Sequence, residues 1–170
     1  MWQDSRDAAV GWVDVTRVDY SGEDGVPYWV IRLAAKPPPP ASRQPGQLIA
    51  YGLVLDTSGD GVADYVVGLD NDAPGQREFH VWLTDLATGE TDKQIGPPYG
   101  EPVEFSHPDE WRPGDLYGPR TMVFTFLTGT DSAPEDLNPE TLRFYAWAAA
   151  SSDGEVFAQD YAPDAGWIEP

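Results

Sequence analysis

Apolar residues in this chain alternate with polar ones in short bursts, and each burst is closed by Gly, Pro, Asp or Ser. Alternation at every second position buries one side of an extended strand, whereas an amphipathic helix repeats its apolar positions every three to four residues. No stretch long enough for a surface helix carries a clean helical period. The pattern predicts strands over Gly11–Tyr20, Tyr28–Ala35, Gln47–Leu55, Asp64–Leu69, Arg77–Asp85, Val103–Ser106, Thr121–Thr128, Thr141–Ser151 and Glu155–Gln159. Asp24-Gly25, Asp60-Gly61, Thr88-Gly89 and Asp153-Gly154 sit between strands and tolerate the positive φ that tight hairpins require. Strands at this spacing predict an all-β fold, an antiparallel, jelly-roll-like β-sandwich. Ser106–Asp109 and Ser132–Glu135 each place an acid three residues after a capping serine, which predicts two single helical turns.

Length changes this picture little: 170 residues form one domain with a core, and are too few to expect two. The run Lys36 to Gly46, with consecutive prolines at 37–40, favours polyproline II. We place it as a loop inside a single domain spanning 1–170, because two strands before it cannot build a core alone. Charge changes the picture more. Ten basic residues against 29 acidic ones give a formal net charge of −19, a field that repels phosphate backbones and anionic lipid. Nucleic acid is therefore excluded as an expected partner, and a salt-adapted surface is an alternative source of the charge. The absence of cysteine removes disulfides, thiolate metal sites and thiol nucleophiles. The opening MWQDSRDAAV has neither a basic nor an apolar leader segment, so the expectation is a cytoplasmic chain or a mature domain. The longest uncharged apolar run, Leu48 to Leu55, is far shorter than the roughly 20 residues of a membrane helix, and no membrane insertion is expected.

The densest candidate chemistry lies in "DTSGDGVAD". Counted from Asp56, oxygen side chains fall at positions 1, 3, 5 and 9 as Asp56, Ser58, Asp60 and Asp64, with Gly61 at position 6 and the Val62 carbonyl at position 7. Calcium takes six to eight hard oxygens, and a chain wrapping it offers alternate side chains, one backbone carbonyl and a glycine at the sharp turn. The spacing points to calcium over magnesium, which demands a stricter octahedron. An EF-hand is excluded: position 12 is Val67, and both flanks read as strands. An acidic Asp-Gly hairpin with a solvated tip is the alternative reading. Asp70 and Asp72 could supply further oxygens from the next turn. Asp160 and Asp164, with Asp4 or Asp7, form a second candidate cation site, set against a plain acidic tail.

Four segments occur in order: Asp4 and Asp7 before "VGWVDVTRVDY", then "YGLVLDTSGDGVADYVV", "TLRFYAWAAAS" and "DYAPDAGW". In this order the chain resembles bacterial extracytoplasmic β-sandwich domains related to family 9 carbohydrate-binding modules and DOMON-like domains, with a DxDxDGxxD-type calcium loop. The resemblance implies a sandwich with structural calcium, secreted or held at the cell surface, acting as a non-catalytic accessory module. The proline tract and Ser58, where aspartate is commoner, depart from that pattern. No sugar-stacking tryptophan of those relatives aligns onto a particular position here, so no ligand transfers with the resemblance.

Alternation also sorts the aromatics. In "REFHVWL", Phe79, Val81 and Leu83 share one face, opposite Glu78, His80 and Trp82. In "TLRFYAWAAA", Leu142, Phe144, Ala146 and Ala148 lie opposite Arg143, Tyr145 and Trp147. Trp82, Tyr145 and Trp147 thus point away from the apolar side, where they could stack on sugar rings, cover the core beneath a loop, or pack on Arg143. No nucleophile elbow, metalloprotease helix, phosphate loop or dinucleotide fingerprint is present. His80 and His107, the two histidines, lack partners at ligand spacing. The expectation is a calcium-stabilised, non-enzymatic monomer whose partner is a polysaccharide or a cell-surface component. A small glycosidase-like hydrolase using Asp and Glu carboxylates is the alternative, and a structural spacer a third reading.

Overall fold

The computed structural model describes residues 1–3, 7–8, 10–21, 28–38, 46–70, 80–92, 121–125, 138 and 140–170. These residues form ten strands: β1 (Trp2–Gln3), β2 (Val15–Ser21), β3 (Tyr28–Leu33), β4 (Gln47–Asp56), β5 (Tyr65–Asp70), β6 (His80–Asp85), β7 (Thr91–Asp92), β8 (Thr121–Thr125), β9 (Arg143–Ser152) and β10 (Glu155–Ala162). A four-stranded sheet runs β1-β2-β3-β8, and a six-stranded sheet runs β10-β9-β4-β5-β6-β7, with every pairing antiparallel. Both sheets feed one core, so the fold is an all-β sandwich. The chain passes between sheets after β3, after β7 and after β8. The proline tract lies on the first of these crossings, with Pro37 buried.

Period-2 alternation decides which residues enter the core. Ile49, Tyr51, Leu53 and Leu55 of β4 are fully buried, and Val67 and Leu69 of β5 and Phe144, Ala146, Ala148 and Ala150 of β9 face the same way. Val15, Val18, Trp29, Ile31 and Leu33 meet them from the other sheet. Large and small side chains share this core: the ring of Trp29 meets Phe144 edge-on at 5.9 Å, and Phe144 alternates into the core with three alanines of β9. The central strand β4 is buried on both sides over most of its length, which matches its near-continuous apolar sequence.

Several boundaries differ from the pattern. The first expected strand begins at Val15, because Val10 O accepts from Val13 N at 2.8 Å and closes residues 11–13 into a turn. Ala34 N and Ala35 N donate to Asp14 O and Gly11 O, so β3 ends at Leu33 to dock that turn. β10 runs three residues past Gln159, with consequences described below. β1 and β7, two residues each, are too short to leave an alternation signal. Asp153 (φ 51°) and Gly154 (φ 84°) turn β9 into β10 through two successive positive-φ positions, as the Asp-Gly pair predicts. The expected strand Val103–Ser106 and both helical turns lie outside the described residues.

Candidate functional site

The hairpin joining β4 to β5 holds all five residues expected to ligate calcium. Asp56, at the end of β4, is wholly buried and acts as the anchor of the loop. Its Oδ1 accepts from Gly59 N at 2.6 Å and Ser58 Oγ at 3.2 Å, and its Oδ2 accepts from Gly61 N at 2.7 Å. Gly59 and Gly61 have φ of 77° and 87°, a backbone that turns their amides back onto the carboxylate at little steric cost. Asp64 Oδ2 accepts from Thr57 N, Thr57 Oγ1 and Ser58 N at 2.8, 3.0 and 3.2 Å. Asp60, at the exposed tip, accepts from Val62 N at 2.8 Å, and Val62 is itself exposed. Thr141 Oγ1 donates to Thr57 O at 2.7 Å, tying the hairpin to the approach of β9.

The donor types suit a hard cation, and the Asp56 and Asp64 carboxylates are fixed in place. The three loop aspartates nevertheless do not gather their oxygens into one shared trio as folded. Asp70 takes no part: its Oδ2 accepts from Trp82 Nε1 at 2.8 Å. Asp72 lies outside the described residues.

A second acidic cluster forms across long sequence distance. Asp7, Asp160 and Asp164 bring carboxylate oxygens within 4.8 Å of one another, the one such trio of potential ligands among the described residues. Asp4 lies outside them. Asp160 belongs to β10, where Ala158, Asp160 and Ala162 share the buried side, and it is only 6% exposed. Its Oδ2 accepts from Val15 N at 2.6 Å, a bond from the six-stranded sheet to the first residue of β2 in the other sheet. Burial raises its pKa from 3.8 to about 6; the Val15 and Tyr161 amides oppose that rise, and the charges of Asp7 and Asp14 reinforce it. The alternation that marks Asp160 as buried was available in the sequence, had the last strand been extended past Gln159.

The aromatics expected to face outward lie together on the outer side of the six-stranded sheet. Register places Trp82 opposite Gly68, Gly68 opposite Gly52, Gly52 opposite Trp147, and Trp147 opposite Tyr161. This single row crosses five strands. A Cβ on Gly52 would lie 2.6 Å from Trp147 ring atoms, and one on Gly68 would lie 2.6 Å from Trp82 Cε2. Both indoles therefore rest on bare backbone, which any larger residue would lift. Their centroids are 6.1 Å apart at 38°. Tyr145 meets Tyr161 at 6.1 Å and Trp167 at 5.2 Å beside them. Burial, then the neighbouring Tyr161, pushes the Tyr145 phenol up from its ordinary pKa. Arg143 does not cover the row: its Nε pairs with Glu169 at 3.4 Å. The two floor glycines were not singled out from sequence, although isolated glycines inside strand patterns signal close approach.

Beside the hairpin, Ser58, Gly59, Glu140, Thr141, Arg143 and Glu169 line an open cleft of about 450 Å³. His80 lies in β6 with its side chain undescribed, and His107 falls outside the described residues. No protein-family model, no curated protein and no solved structure matches this chain.

Proposed function

We propose that this chain is a non-catalytic accessory module, secreted or held at the cell surface, that binds a neutral polysaccharide on the outer face of its six-stranded sheet. The observation that carries the reading is the Trp82 and Trp147 pair seated on Gly68 and Gly52. Both indoles are half-buried, and the bare backbone beside them, with the Trp82 Nε1 bond to Asp70, holds them in place before any ligand arrives. Sugar rings stack their C–H faces on such surfaces, and a rigid aromatic loses little conformational entropy in doing so. The net charge of −19 disfavours acidic glycans at the same surface.

Calcium is the proposed stabiliser, bound by Asp56, Ser58, Asp60, the Val62 carbonyl and Asp64 of the β4–β5 hairpin. An ion that binds only the folded state stabilises it by about 2.7 kcal/mol at a hundredfold excess over Kd.

Tryptophan fluorescence titrated with soluble neutral polysaccharides, beside a screen of chromogenic glycosides, tests the binding reading. Quenching without turnover is expected, weakened about tenfold by Trp82→Ala or Trp147→Ala. Turnover abolished by one carboxylate substitution would instead assign a hydrolase, and silence in both assays a structural spacer.

A further inference from the structure

We propose that Asp70 is a positioning residue of the outer face, one that sets the Trp82 indole, and through it the Trp147 indole, in the arrangement a polysaccharide meets. This role rests on the polysaccharide reading of that face. β5 alternates Val67 and Leu69 into the core, so Gly68 and Asp70 lie on the outer side. Register sets Gly68 opposite Trp82 and Asp70 opposite His80, which makes Asp70 the diagonal neighbour of Trp82. Diagonal neighbours on one face of a sheet stand roughly 7–8 Å apart, a span that a long aromatic side chain can close. Trp82 closes it by lying over Gly68, where an added Cβ would come within 2.9 Å of the ring's Cη2, and its Nε1 then donates to Asp70 Oδ2 at 2.8 Å.

The two indoles are held by different means. Trp82 has its glycine floor and a charge-assisted hydrogen bond, a kind roughly twice as strong as a neutral one. Trp147 has its floor on Gly52 and the Trp82 ring beside it at 6.1 Å, but its Nε1 is buried with no hydrogen-bond partner. Packing alone sets the direction of Trp147, and part of that packing is Trp82. Among the described residues, the Asp70 acceptor is thus the one hydrogen bond made to either ring. A half-buried indole N–H can be satisfied by water at little cost, whereas another carboxylate adds to the self-repulsion of a chain already at −19. What the carboxylate adds is geometry: a ring fixed beforehand has less rotamer freedom left to lose when a sugar stacks on it. Asp70 acts through Trp82 and needs no contact of its own with the ligand.

The test is affinity gel electrophoresis of the full chain in hydroxyethyl cellulose, xyloglucan, galactomannan and soluble starch, run beside Asp70→Asn, Asp70→Leu, Trp82→Phe and the Trp82→Phe/Asp70→Leu double variant. Asparagine keeps an oxygen acceptor for the indole and should bind within about threefold of wild type, whereas leucine offers none and should lose about tenfold. In the Trp82→Phe background, where the donor is gone, Asp70→Leu should cost nothing further. By NMR, the indole N–H resonance of Trp82 should move in Asp70→Leu and stay near its wild-type position in Asp70→Asn. Urea unfolding checks that each chain is folded, and Asp70→Ala takes the place of Asp70→Leu in the cycle should leucine unfold it. An Asp70→Leu chain that binds like wild type would overturn the proposal. So would Asp70→Asn as weak as Asp70→Leu, which would make the charge and not the acceptor the cause, or additive losses in the double variant, which would put Asp70 on the ligand itself. A wild type retarded by none of the four polymers withdraws the polysaccharide reading and this role together, whereas a retarded wild type with an unaffected Asp70→Leu withdraws this role alone.

Discussion

The hairpin at residues 56–64 and the corner around Asp160 are both made of aspartates, and they place them in opposite surroundings. In the hairpin, Asp56 and Asp64 each face backbone amides supplied by their own loop, so each charge meets oriented donors. At the corner, Asp7, Asp160 and Asp164 face one another, and Val15 and Tyr161 give Asp160 too few donors to offset burial. The lesson concerns where a chain's acidity is costly. Four acids or hydroxyls at alternate positions look like concentrated charge in sequence, yet a local turn brings its own donors to them. Three aspartates separated by up to 157 positions look diluted, and the fold concentrates them.

Substitutions should separate the two regions by size and sign. The largest loss is expected for Asp56→Ala, which strands the Gly59 and Gly61 amides and the Ser58 hydroxyl around a buried hole; about 3 kcal/mol of stability should disappear in urea unfolding. A loss under 1 kcal/mol would mean the loop finds other partners. Asp160→Asn should act in the opposite sense, stabilising the chain at pH 7.5, and equal signs for the two variants would break the contrast. Thr141→Val removes the hydroxyl that bonds Thr57 O and should cost about 1 kcal/mol, since a buried carbonyl then loses its partner. Asp60→Ala, at the exposed tip with one local acceptor bond, should change stability in chelator by no more than about 0.5 kcal/mol.

Alternation made the sandwich legible, because each half-buried strand must present one apolar side whatever its neighbours are. It placed Phe144 and Ala146 inside and Trp82 and Trp147 outside without knowledge of strand order. Register was not legible. That Gly52 and Gly68 lie side by side between the two indoles depends on how β4, β5, β6 and β9 pair, which no local pattern encodes. The acidic hairpin was conspicuous because its residues are contiguous, but its hydrogen bonds depend on two positive-φ glycines whose effect is geometric. The corner was the harder case. Ending the last strand at Gln159 hid the position of Asp160 between Ala158 and Ala162 on a buried side, and its approach to Asp7 is purely tertiary.

Calorimetric titration with calcium at pH 7.5, performed on wild type, Asp60→Ala and Asp160→Asn at one ionic strength, tests the division of labour between these two regions most directly. The account predicts saturable calcium binding in wild type, its retention in Asp160→Asn and its loss in Asp60→Ala. Binding that survives Asp60→Ala and vanishes with Asp160→Asn would move the cation to the corner and contradict the hairpin site.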